Sequence, residues 1–70
     1  NIEFKEVIKE YFTAWENALF NIFKNKYEES KARTIAKEYV ALIQGSIMMM
    51  NLYDNPSSYL QVGKKLISLI

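Results

Sequence analysis

Cysteine and histidine are absent from these 70 residues, and only two glycines and one proline occur. Each absence removes a class of protein. Without cysteine there is no disulfide framework and no thiolate zinc site. Without histidine the commonest metal ligand and the commonest general base are missing. So few turn residues argue against a β-sandwich. Charge of one sign is lacking too. Nine basic residues face eight acidic ones, a formal net charge of +1. Nothing in that balance draws the chain to nucleic acid by bulk electrostatics. No cationic segment followed by an apolar run marks a signal peptide.

Apolar residues are plentiful by contrast. Half the sequence is hydrophobic and 14% is aromatic, too much for disorder. At this length a single core sits near the lower limit of independent stability, burying only about 60% of the unfolded surface. Burial against ordering entropy comes out near zero. With disulfides and thiolate or imidazole metal sites excluded, the remaining stabiliser is a partner chain, or the rest of a longer protein. The opening residue is Asn1 rather than methionine, so the chain reads as processed or as part of such a protein.

The hydrophobic rhythm predicts an all-α fold of three helices, over residues 2–27, 31–53 and 56–70, in a single domain spanning 1–70. In the first, Phe4, Ile8, Tyr11, Trp15, Leu19 and Ile22 recur at steps of three and four, the spacing of one helix face. Residues 25–30 lack apolar rhythm and read as a loop. Ser30 is the expected N-cap of the second helix. That helix is apolar nearly all round from Tyr39 to Tyr53, so burial on more than one side is expected. Fifteen residues fall short of the roughly 20 that span a bilayer. Asp54-Asn55-Pro56 punctuates the chain, with Pro56 suited to the first turn of a third helix and Asp54 or Asn55 to its cap.

Gly45 lies inside the second helix and Gly63 inside the third. An interior glycine costs roughly 1 kcal/mol against alanine, so each needs a reason. Close approach of a second copy is one, and a two-fold operation would make a four-helix bundle of the last two helices. The interface would then use Ala41, Leu42, Gly45, Met48, Met49 and Leu52 of the second helix. Leu60, Gly63, Leu66 and Ile67 would join from the third. The alternative is that both glycines relieve crowding within one chain.

The run from Ala36 to Met49, Ala-Lys-Glu-Tyr-Val-Ala-Leu-Ile-Gln-Gly-Ser-Ile-Met-Met, resembles the penultimate helix of TetR-type transcriptional repressors. Asp54-Asn55-Pro56 followed by Tyr59-Leu60 and Leu66-Ile67 is similar to that family's loop and last helix. Phe12-Thr13-Ala14-Trp15 is similar to the helix before them. The resemblance implies a cytoplasmic bacterial regulator. It implies that this region is the carboxy-terminal part, which homodimerises and senses a small effector. DNA would be bound only through a helix-turn-helix domain that this chain has no room for. Effector binding near the first helix would shift the dimer and release DNA.

Tyr11, Phe12, Trp15, Leu19 and Phe23 are the candidates for contacting a small apolar or aromatic effector, since aromatic faces suit flat ligands. Any one of them reads first as an ordinary core side chain, and Trp15, whose indole N–H needs a partner when buried, is the best single ligand candidate. Met48, Met49 and Met50 point about 100° apart and cannot form one patch. Gln44, polar within an apolar run, suits an effector contact, a contact across the dimer or simple exposure. No poised nucleophile, phosphate loop or cofactor motif is present, so no enzyme, cofactor or metal is expected. The rival to a regulator domain is a small stand-alone interaction module, such as a helical adaptor or an antitoxin-like partner. A membrane-active peptide is disfavoured by the low net charge.

Overall fold

A computed structural model describes residues 2–70. It contains α1 (Ile2–Phe23), α2 (Glu29–Tyr53) and α3 (Ser57–Leu69), with no strand among the described residues. The all-α expectation is met, and the helix ends are corrected by local chemistry. The first helix stops at Phe23 rather than at residue 27. The Lys26 and Tyr27 amides both bond to the Phe23 carbonyl, at 3.0 and 2.9 Å. The bonds crowded onto that one carbonyl tighten the chain into a turn.

The second helix begins two residues before the expected 31. Its N-cap is Glu28, not Ser30. Glu28 has extended backbone, and its carboxylate accepts the Lys31 amide at 3.0 Å. A carboxylate here also meets the positive end of the helix dipole. Ser30 instead lies in the first turn, where its carbonyl accepts the Thr34 hydroxyl.

At the far end, Asp54 adopts the left-handed conformation (φ 51°, ψ 38°) and terminates α2. The Asn55 side chain then accepts the Ser57 amide at 3.0 Å. Of the two residues expected to cap α3, Asn55 therefore supplies the bond. Pro56 sits one place outside the helix, at its cap position.

The core lies at the loop joining α1 to α2. Phe23, 1% exposed, meets Leu19 and the small residues Ala32 and Ala36, with Tyr39 and Val40 closing the far side. The two alanines let the helices approach closely while Phe23 fills the space between. Arg33 of α2 locks the pair from outside. Its Nη1 donates to the Glu16 carboxylate at 2.9 Å and to the Asn17 amide oxygen at 2.8 Å. The guanidinium also stacks 3.9 Å from the centre of the Phe20 ring.

Helices α1 and α3 both pack on α2 and not on each other. The Cα extents are therefore 35 × 34 × 13 Å, a layer one helix thick. Its radius of gyration is 13.4 Å, against about 11 Å for an ordinary domain of this length. The accessible surface is 5438 Å², where a folded chain of this mass exposes about 4,500 Å². No residue of α3 is buried. None of the three helices is long and apolar enough to cross a membrane.

Candidate functional site

The flat layer leaves apolar surface on both broad sides, and α2 is the wall between them. Its packed side carries Ala32, Ala36, Tyr39, Val40 and Ser46. Ser46 is buried, and its hydroxyl donates to the Ile43 carbonyl at 2.8 Å. Gly45 lies nine residues after Ala36, about half a turn round the helix from it. Ala41, Leu42, Met48, Met49 and Leu52 flank Gly45 on this outward side, all exposed. Met48 is 64% exposed and Leu52 69%. Met50 turns inward and is half-buried, so the three methionines do not share a patch.

Neither glycine is crowded. A Cβ built at Gly45 or at Gly63 would meet nothing within 4 Å, and neither has positive φ. This overturns the alternative in which the glycines relieve crowding within one chain. Neither position needs glycine for its backbone or for its neighbours in this chain.

The two glycines open on opposite sides of the α2–α3 pair. Gly45 lines a cleft of about 510 Å³ with Ala41, Leu42 and Met49, bordered across the groove by Ser58, Gln61 and Lys65 of α3. Gly63 lines a different cleft, of about 420 Å³. Trp15 of α1 forms one wall of it, and Ile43 comes from α2. Tyr59, Leu60, Gly63, Leu66 and Ile67 form the α3 wall, with Lys64 as its single charged residue. Helical phase explains the division. Tyr59, Leu60, Gly63 and Ile67 share one flank of α3, and Ser58, Gln61 and Lys65 share the other.

The candidate effector residues are thereby sorted. Leu19 and Phe23 are sealed in the core. Tyr11, Phe12 and Trp15 remain at the surface as an aromatic cluster. The Tyr11 ring stands 6.3 Å from Trp15, edge-on, and 5.9 Å from Phe12. Phe12 lines a third groove, of about 460 Å³, between α1 and α2 with Lys9, Lys37 and Gln44. Trp15, 41% exposed, opens on the α1–α3 cleft. Ile43, Tyr59 and Lys64 were not singled out by sequence as ligand residues. Leu60, Gly63, Leu66 and Ile67, which the sequence places at a dimer interface, line this cleft. Their shared phase with Tyr59 was the available signal. Among the described residues no group of three carboxylates could hold a metal ion.

The architecture is an all-helical layer that offers apolar clefts and contact area on each side. The sequence matches, over residues 1–65, the family described as the carboxy-terminal domain of LmrA/YxaF-like transcriptional regulators. The chain belongs to this branch of the TetR-type regulators. No curated protein and no solved structure matches it.

Proposed function

We propose that this domain homodimerises through α2 and α3 and senses a small apolar effector on behalf of a transcriptional regulator. The observation that carries the reading is Gly45. It sits centrally on an exposed apolar face, costs its helix roughly 1 kcal/mol against alanine, and relieves nothing within its own chain. A second α2 laid against this face would use the missing side chain for close backbone approach. The surface supports the same reading. The chain exposes roughly 900 Å² more than its mass predicts. A standard interface buries about 800 Å² per partner.

In this proposal the interface candidates divide. Ala41, Leu42, Gly45, Met48, Met49 and Leu52 meet the second copy. The α3 helix enters the four-helix bundle by its Ser58, Gln61 and Lys65 flank. Leu60, Gly63, Leu66 and Ile67 face the effector cleft with Trp15. Phe12 and Tyr11 border the neighbouring surface, and Leu19 and Phe23 back it from the core.

Sedimentation equilibrium tests the dimer. A dimer at micromolar concentration is expected, and Gly45→Leu shifts it at least tenfold toward monomer while helix content is kept. A folded monomer in the parent chain removes the reading. Unchanged association in Gly45→Leu moves the interface off the α2 face.

A further inference from the structure

We infer that the cleft between α1 and α3 takes a flat organic anion, a two- or three-ring apolar body carrying one carboxylate. This rests on the effector-sensing reading above and names the chemistry of its ligand. Three observations converge on it. The cleft is apolar over most of its lining, and about 420 Å³ falls within the usual range of small-molecule sites. Trp15 of α1 and Tyr59 of α3 both line it, and aromatic rings suit a planar body. Among the described residues Lys64 is the only charged one that lines it, and no aspartate or glutamate does.

The polar groups are matched to an acceptor. The Lys64 ammonium offers donors only, as does the Trp15 indole N–H, and the Tyr59 hydroxyl can donate as well. A carboxylate takes such bonds and gains from the cation. An ammonium ligand would meet an uncompensated like charge beside an apolar wall. Gly63 makes the room. Its position is half-buried, and the space where its Cβ would project is empty. The ligand's ring can therefore approach the α3 backbone at the middle of the wall. Lys65, the neighbouring cation, borders the cleft on the opposite side and is not available here.

The chain has one tryptophan, so a single indole N–H resonance reports on the surface around Trp15, this cleft included; loss of the shift in Gly63→Leu assigns it to the cleft. The whole chain is titrated with 1-naphthylacetate, the neutral 1-naphthylacetamide and the cationic 1-naphthylmethylammonium. The anion is expected to shift the Trp15 resonance and bind about two- to fivefold more tightly than the amide, the range of a solvent-screened ion pair. The cation binds weakest. Lys64→Gln, at an exposed position, brings the anion to the affinity of the amide. Gly63→Leu fills the wall and removes binding of all three.

Equal binding of anion and cation, or no effect of Lys64→Gln, overturns the anionic assignment. If anion and amide bind alike and both shift Trp15, effector sensing stands and only the charge preference falls. If none of the three moves the resonance of the folded chain, both fall. If Gly63→Leu instead converts a dimer to monomer, the second copy occupies this cleft and the ligand assignment is withdrawn.

Discussion

The two ends of α2 are built to different standards. Near the α1–α2 loop, Phe23, Ala32 and Ala36 are all but inaccessible, and Arg33 ties the two helices together from outside. Toward Tyr53, α2 meets only α3, which buries no residue of its own. The same helix therefore carries a finished core at one end and an unfinished one at the other. Side-chain size makes the difference. Small alanines opposite a phenylalanine close the first contact within one chain. Methionine, leucine and glycine along the second leave apolar area exposed.

Substitutions at the finished end sharpen this contrast. Phe23→Ala has the largest expected effect, about 3–5 kcal/mol, because it empties the centre of the buried cluster. Much of the stability of so small a domain is of that order. Circular dichroism should show loss of most helix at 25 °C. A cooperative melt like the parent's would mean that stability resides elsewhere.

Arg33→Ala comes next, at about 1–2 kcal/mol. It removes a charged hydrogen-bond pair and a cation stacked on Phe20. Arg33→Lys should recover less than half of this, since an ammonium cannot stack as a plane while bonding both Glu16 and Asn17. Urea denaturation measures both, and full recovery by lysine would reduce Arg33 to a point charge.

The smallest effect is at Tyr27, which ties the end of α3 to the finished end of α2. Its ring stands edge-on to Phe23, and its hydroxyl donates to the Leu69 carbonyl at 3.2 Å. Tyr27→Phe should cost about 1 kcal/mol. Hydrogen exchange should localise the loss to the last turn of α3, where the Ile70 amide bonds to Ile67. Faster exchange spread evenly over the molecule would show that this bond fastens nothing in particular.

Helix number, order and approximate span were legible in sequence, because steps of three and four and one Asp-Asn-Pro break leave little choice. Helix ends were less so. Glu28 is an uncommon cap, and its use depends on the turn that Phe23 begins. Tyr27 falls in the loop by sequence, since a single aromatic residue has no rhythm to reveal it. The aromatic residues of α1 were legible as a set but not by role. Periodicity places Leu19, Phe23 and Trp15 on one face. Only the packing of α2 decides that the first two are sealed while the third is open. The opposite outlook of Gly45 and Gly63 follows from α2 and α3 together, so a helix-by-helix reading could not divide them.

A wall one helix thick has a mechanical consequence. Ile43 borders the cleft on one side of α2, and Gly45, two residues on, faces the other. No intervening layer of side chains exists to absorb a displacement between them. A body wedged against Ile43 can be accommodated by rolling α2 about its axis, and any such roll re-aims Gly45 and Met48 by the same angle. A ligand on one side and a partner on the other would therefore press on the same helix.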